Sequence, residues 1–247
     1  MADEPRRNVV RRLLSVLATF EPATPTQSLT EIAARTELPL PTAHRFLAEL
    51  TTGGWLERLP DGRYRVGARL WQLGTLAPSY RNLRELALPY MQDLQQATRE
   101  NVQLAVLDGR TALCVENIDG MRSTAAQTRS GGRLPLHATG VGKVLLAAAE
   151  AELLTALAEK GFRRFTRYTI IEPGHLARAL ETVRNEQMAY SREEMTLGAC
   201  SVASPVTAAG KVVAAVSIVA DASVDIDRLA FAVRTAASGI SRQARML

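Results

Sequence analysis

The sequence predicts an α+β protein in two parts. A winged helix-turn-helix is expected over residues 1–67, a linker helix over 68–79, and an α/β domain built on an antiparallel sheet over 80–247. Three observations lead there. Residues 28–66 read as two short helices around a tight turn, then a β-hairpin, the order that sets one helix in a DNA major groove. Beyond residue 80, β-rich runs joined by hairpin turns are interspersed with amphipathic helices. A length of 247 residues at 47 % hydrophobic content allows a core in each part.

Ser28 and Glu31 form an S-x-x-E capping box that starts the first helix near Leu29, with Leu29, Ile32 and Ala33 on one face. Pro39 and Pro41 announce the second helix, because a first helical turn tolerates the missing N–H. Ala43, Phe46, Leu47 and Leu50 follow as an i, i+3, i+4, i+7 stripe toward a core. The opposite side carries Pro41, Thr42, His44, Arg45 and Glu49. That face is suited to duplex DNA: Arg45 to read guanine, Thr42 and His44 for phosphate or base contacts. A solvated face is the alternative for an isolated amphipathic helix. The capping box, the double-Pro turn and the hairpin together favour DNA.

Gly53 and Gly54 end the second helix. Residues 55–59 and 63–67 then flank the turn Pro60-Asp61-Gly62, with Tyr64 and Val66 expected inward and a wing tipped by Arg58, Arg63 and Arg65. These arginines suit the phosphate backbone or minor groove. With Ser28 and Thr30 at the head of the first helix, they complete the candidate DNA-binding set. Upstream, Val10, Leu13, Leu14, Leu17 and Ala18 predict a third helix of the small core.

A net charge of +5 and a pI near 9.6 suit an anionic partner. The excess is spread out: residues 1–75 hold 10 Arg against 8 Asp and Glu, so local placement carries the argument. Cys114 and Cys200 have neither disulfide-framework nor metal-ligand spacing. The N-terminus lacks a signal-peptide pattern and no apolar run reaches membrane-spanning length, so a cytoplasmic location is expected. No cofactor is implied.

Residues 68–77, ARLWQLGTLA, look helical, with Leu70, Trp71, Leu73 and Leu76 exposing more apolar surface than a connector needs. The surface either packs on its own domain or makes a dimer contact, since paired winged helices read a symmetric site. Beyond it, helices are expected at 83–99, 144–157, 176–184 and 226–246, and strands at 102–107, 111–118, 201–206 and 212–220. Asp108-Gly109-Arg110 and Ala208-Ala209-Gly210-Lys211 supply the hairpin turns.

Three motifs in order, SLTEIAARTELPLPTAHRFLAEL at 28–50, RLPLHATGVGKVLLA at 133–147 and YSREEMTLGACSVASPV at 190–206, make the chain resemble the IclR family of bacterial transcription regulators over essentially its whole length. The resemblance implies a winged helix-turn-helix joined to an effector-binding domain of GAF-like fold. It implies binding of double-stranded DNA at a palindromic operator, as a homodimer or dimer of dimers, under control of a small-molecule effector.

Thr139-Gly140-Val141-Gly142 leads into a helix over 143–149, and backbone N–H groups at such a start favour an anion. A tight strand-to-helix turn needing Gly for packing is the other reading. A phosphate loop fails, because GxxxxGK[ST] needs Gly at His137 and Ser or Thr at Val144. By resemblance to members that bind small 2-oxo acids, the ligand set is Gly140 and Val141 for backbone amides, Leu134 as apolar wall, then Ser191, Ala199, Ser201, Ser217 and Val219. Three positions depart: Ser191 stands for an aspartate, Ser201 for a cysteine and Val219 for a serine. The less polar pocket points to a bulkier organic or aromatic acid.

No catalytic or metal site is expected. Glu193 and Glu194 read as a solvated pair, the only histidines are His44, His137 and His175, and no G-x-S-x-G or HExxH motif occurs. A small-acid-processing enzyme, and a DNA-binding assembly protein without a ligand, are the alternative functions.

Overall fold

The fold is a computed structural model that describes residues 4–21, 23–76, 78–121 and 128–244. The chain forms two compact units, Met1–Arg81 and Asn82–Leu247.

The first unit comprises α1 (Glu4–Leu17), β1 (Thr26–Gln27), α2 (Leu29–Thr36), α3 (Leu40–Thr52), β2 (Leu56–Arg58), β3 (Tyr64–Val66) and α4 (Ala68–Thr75). Its three short strands pair antiparallel in the order β1-β3-β2. The capping box at α2 is complete: Glu31 N–H donates to Ser28 Oγ at 3.3 Å, and Ser28 N–H to Glu31 Oε2 at 2.7 Å. Glu37 turns the chain left-handed at φ 53°, and α3 starts at Leu40 with Pro41 in its first turn. Ala43, Phe46, Leu47 and Leu50 are buried with Val16, Ile32, Leu56 and Tyr64.

Two expectations about this core are corrected. In α1 the face toward the core carries Leu13, Val16 and Leu17, whereas Val10 and Leu14 are exposed, as is Ala18 beyond the helix. The apolar arc of the helix is wide, running from Leu13 and Leu17 on to Val10 and Leu14, and periodicity does not say which part of it packs. Val66 is also exposed: it shares the inward face of β3 with the buried Tyr64, but the core ends at Tyr64 and does not reach this end of the strand.

The second unit contains most of α5 (Pro78–Thr98), whose first turn falls before the boundary, then β4 (Asn101–Asp108), β5 (Thr111–Ile118), β6 (Arg133–Leu134), α6 (Gly140–Ala148), α7 (Ala151–Lys160), α8 (Pro173–Glu186), β7 (Ala189–Arg192), β8 (Ala199–Ala208), β9 (Lys211–Asp221) and α9 (Ala230–Ala244), the last preceded by a 3-10 turn over Ile226–Leu229. Its six-stranded antiparallel sheet runs β6-β5-β4-β9-β8-β7. One face packs on α5 and α9 through Met91, Leu104, Val202, Ile218 and Ile240. The other packs on α6 and α8 through Ala105, Val144, Leu146, Leu176, Leu180, Ala203 and Ala215. Covered on both faces, β4, β8 and β9 are buried along most of their lengths, which is why they read as apolar runs rather than alternations. The β8–β9 hairpin closes at Ala209 and Gly210, both at positive φ (47° and 77°), as a two-residue turn with right-handed strand twist requires.

The helix expected over 144–157 is two helices: Ala149 goes extended (φ −77°, ψ 163°) and separates α6 from α7. No Gly or Pro marks that break. The helix placed at 143–149 begins at Gly140, so the glycines lie in its first turn. The terminal helix starts with the 3-10 turn, and its expected end at Met246 lies outside the described residues.

Candidate functional site

On α3, Pro41, His44 and Arg45 are exposed and Thr42 is half-buried, opposite the buried stripe. Arg45 rests over the Phe46 ring at 5.8 Å and has no carboxylate partner among the described residues. Thr30 is exposed, and its hydroxyl lies 3.0 Å from that of Ser28, which is engaged in the cap.

The wing differs from its expected form. Arg58 is exposed, with its guanidinium 5.8 Å from the Tyr64 ring. Arg63 does not project from the tip: it turns back to Glu31 Oε2 at 3.0 Å and donates to the Thr26 carbonyl at 2.8 Å, locking the wing to α2. Arg65 is paired with Glu57 across β2–β3 at 2.7 Å. Hydrogen bonds from the Ser28 backbone and hydroxyl, with Arg63 beside it, hold the Glu31 carboxyl below its ordinary range. Of the three wing arginines, Arg58 alone lacks an acidic partner among the described residues.

At the start of α4, Arg69 lies over Trp55 at 4.6 Å and donates to the Gly53 carbonyl at 3.1 Å. Leu70 is half-buried, but Trp71 is 71 % exposed, Leu73 50 % and Leu76 70 %. One side of α4 therefore packs on its own unit while an apolar side stands open.

In the second unit a cavity of about 410 Å³, counting its open mouth, lies between the start of α6 and the sheet face beneath it. It touches all eight residues of the expected ligand set: Leu134, Gly140, Val141, Ser191, Ala199, Ser201, Ser217 and Val219. Strand register explains the convergence, because Ser191, Ser201 and Val219 lie side by side on β7, β8 and β9, next to a row through Ala203, Ser217 and Gln103.

Thr139 caps α6, accepting from Gly142 N–H at 3.1 Å. Gly140 and Val141 are not equivalent. The Gly140 amide already donates to Ser201 Oγ at 3.2 Å, whereas the Val141 N–H has no partner among the described residues. Unpaired first-turn amides are where an anion is stabilised.

The glycines serve packing rather than ligand approach. A Cβ on Gly140 would stand 2.9 Å from Ser201 Oγ and 3.2 Å from Ala203 Cβ, and one on Gly142 2.5 Å from the Pro135 carbonyl. Ser191 donates to the Ala138 carbonyl at 2.9 Å and so braces the loop before α6.

Gln103, Thr128, Ala138, Thr139, Met195, Thr196 and Cys200 also line the cavity and were not anticipated. Gln103 had one signal in the sequence: it interrupts the apolar run of a strand buried on both sides, VQLAV. Met195 and Thr196 belong to the loop after β7, which Thr166 and Thr169 hold by donating to the Glu193 and Glu194 carbonyls, each at 2.6 Å.

Glu194 is not solvated. It is buried against Lys143, Nζ to Oε1 at 2.5 Å, and Lys143 donates further to the Tyr190 carbonyl at 3.0 Å. Burial lowers the Lys143 ammonium from its usual value, and the Glu194 charge opposes that shift. His137 beside them stacks near Phe162 and Phe165, and burial pulls its imidazole down too. Burial pushes the Cys114 thiol up to about 12. No charged side chain lines the cavity among the described residues. No group of three His, Cys, Asp or Glu among them could hold a metal, and no helix is long and apolar enough to cross a membrane.

Residues 76–242 match the C-terminal domain of IclR-type bacterial transcriptional regulators, and residues 9–60 match the IclR helix-turn-helix domain. The chain belongs to the IclR family. The HTH-type transcriptional regulator XynR of Escherichia coli K12 is 33 % identical over 212 residues, 85 % of this chain and 84 % of that protein. The transcriptional repressor IclR of the same strain is 31 % identical over 175 residues, 69 % and 64 % of the two chains. Among solved structures, an IclR homologue from Microbacterium hydrocarbonoxydans complexed with 4-hydroxybenzoate superposes with a TM-score of 0.90 at 33 % identity, covering 97 % of this chain and 100 % of that one. Thermotoga maritima IclR gives 0.75 at 26 %, covering 97 % and 99 %. As an IclR-family member this chain is a DNA-binding transcriptional regulator with a C-terminal effector-binding domain, and the curated relatives are regulators rather than enzymes.

Proposed function

We propose that two copies of this chain read a palindromic operator through α3 and the wing, and that a small organic acid of aromatic type, held in the cavity at α6, shifts operator occupancy. In this reading residues 1–67 are the DNA-binding domain, 68–79 the linker and 80–247 the effector domain. Thr42, His44 and Arg45 face the major groove, and Arg58 is the wing's freest charge for the phosphate backbone.

The observation that carries the effector assignment is the unpaired Val141 N–H at the start of α6, opening on a cavity walled by Leu134, Val219, Ala199 and serine hydroxyls. A carboxylate belongs on that amide and an apolar body against those walls. The 4-hydroxybenzoate in the Microbacterium hydrocarbonoxydans homologue supports an acid of that size. Pairing of two chains is supported by the open apolar side of α4, where Trp71, Leu73 and Leu76 stand exposed in the single chain. Ligand would act by favouring one of two arrangements, relayed through residues 68–100.

Selection of binding sites from a random duplex pool by the full-length protein tests the DNA half. The expected product is an inverted repeat with half-sites about one helical turn apart or a multiple of it. Recovery of a single unpaired half-site would overturn the dimer reading. Calorimetric titration with benzoate, pyruvate and glyoxylate tests the effector half, and tight binding of the 2-oxo acids with none of benzoate would overturn it.

A further inference from the structure

Five polar side chains line the cavity and are more than nine-tenths buried: Gln103, Thr139, Ser191, Ser201 and Ser217. Three of them are committed within the protein. Thr139 caps α6, Ser191 donates to the Ala138 carbonyl and Ser201 accepts from Gly140. Gln103 at 3 % exposure and Ser217 at 1 % have no hydrogen-bond partner among the described residues.

A buried carboxamide without partners is costly unless something entering the cavity supplies them. The two residues are direct cross-strand neighbours on β4 and β9, so they form one uncommitted polar spot on the cavity wall. Its Gln103 end stands apart from the start of α6. Gly140 seats on β8 against Ser201 and Ala203, whereas Gln103 lies on β4, two strands across, roughly 10 Å of sheet width.

We propose that Gln103 is a specificity residue that reads a second polar group of the effector, a hydroxyl at the end of the ligand remote from its carboxylate. This rests on the reading that an aromatic acid occupies the cavity. A carboxamide offers an accepting oxygen and a donating NH2, and a hydroxyl is the small neutral group that can both donate and accept. With the carboxylate on the Val141 N–H, a two- or three-carbon acid ends short of β4. A ring acid carries its far substituent toward Gln103 and Ser217. The effector class is therefore a hydroxylated aromatic acid, and a methyl group in the hydroxyl's place would leave both buried groups without partners.

Calorimetric titration of the full-length protein with 4-hydroxybenzoate, 3-hydroxybenzoate, benzoate and 4-methylbenzoate tests this, repeated on Gln103→Leu and Gln103→Met with far-UV circular dichroism as the check on folding. The native protein should bind the better hydroxybenzoate at least about ten-fold more tightly than 4-methylbenzoate, the scale set by one buried polar group left unpaired. In either folded variant that advantage should shrink to within about two-fold, with 4-methylbenzoate bound no more weakly than by the native protein. Equal affinities for hydroxy and methyl acids in the native protein overturn the proposal whatever the variants do, as does an advantage that survives a folded variant. If no benzoate binds at all, the aromatic-acid reading itself falls. If all bind alike, that reading stands and the role given to Gln103 falls.

Discussion

Lys143 Nζ lies 2.5 Å from Glu194 Oε1 in a pair almost closed to solvent, and it joins the helix that opens on the cavity to the loop that walls it. Lys143 is two residues beyond Val141, and Glu194 immediately precedes Met195. The pair is not fully satisfied, because Glu194 Oε2 is buried without a partner. Removing one charge strands the other, so Lys143→Met should destabilise the second unit by about 3–5 kcal/mol. Replacing both, as Lys143→Met with Glu194→Leu, should cost clearly less than the single change. Calorimetric melting is the suitable measurement, since the only tryptophans, Trp55 and Trp71, lie in the first unit and their fluorescence does not report on the second.

The first turn of α6 predicts a second, graded result. A Cβ at residue 142 meets main chain, 2.5 Å from the Pro135 carbonyl and 2.7 Å from Leu136 Cα, which do not move without shifting the loop. At residue 140 the nearest atom is the Ser201 hydroxyl at 2.9 Å, which can rotate away. Gly142→Ala should therefore lower stability by about 1–3 kcal/mol, and Gly140→Ala by less. Chemical denaturation followed by far-UV circular dichroism would show the order, and a larger effect at 140 would refute this account of the turn.

The contrast between these positions reflects what periodicity and motif can carry. The α3 stripe Ala43, Phe46, Leu47 and Leu50 was legible because one apolar face faces one core. The core side of α1 is not legible in the same way, because Val10 and Leu14 extend the apolar arc that Leu13 and Leu17 begin, and only tertiary packing selects Leu13, Val16 and Leu17. The cavity wall was legible where motifs marked it, at 134–141 and 191–201. Gln103 belongs to no motif and faces Ser217 through pairing of strands more than a hundred residues apart in sequence. The break at Ala149 was invisible for a related reason: nothing in its local chemistry stops a helix, and Glu150 merely opens the next one.

His137 should make the stability of the second unit fall in acid. Its imidazole is buried beside Phe162 and Phe165, Nε2 lies 2.9 Å from the Arg163 carbonyl, and Glu194 and Lys143 act on it with opposite sign. Burial, the largest influence, places its folded-state value below the ordinary 6.5. Between those values the unfolded chain binds more protons, so stability falls as the pH drops. The contribution is whole above about pH 6.5 and declines below it. The calorimetric melting temperature of the second unit should fall from pH 7 downward, and His137→Gln should flatten that fall. An unchanged slope in a folded variant would assign the acid response to other groups.

Arg45 and Arg65 are both exposed arginines of the DNA-binding unit, yet they should respond differently to truncation. Arg45 has no acidic partner among the described residues and stands on the face of α3 opposite the core. If it reads a base, Arg45→Ala should weaken binding to the selected operator by about 1–3 kcal/mol, with much less effect on random duplex. Arg65 is held at 2.7 Å by Glu57, so its charge is largely answered before DNA arrives, and the exposed pair is itself worth only about 0–1 kcal/mol. Arg65→Ala should therefore leave operator affinity nearly unchanged, whereas Glu57→Gln, by freeing the arginine, should tighten binding to all sequences and steepen its salt dependence. Fluorescence anisotropy on operator and scrambled duplex across a salt series separates the cases. Equal losses for Arg45→Ala on both duplexes would make that residue a phosphate contact, and a large operator-specific loss for Arg65→Ala would mean the wing rearranges to release it from Glu57.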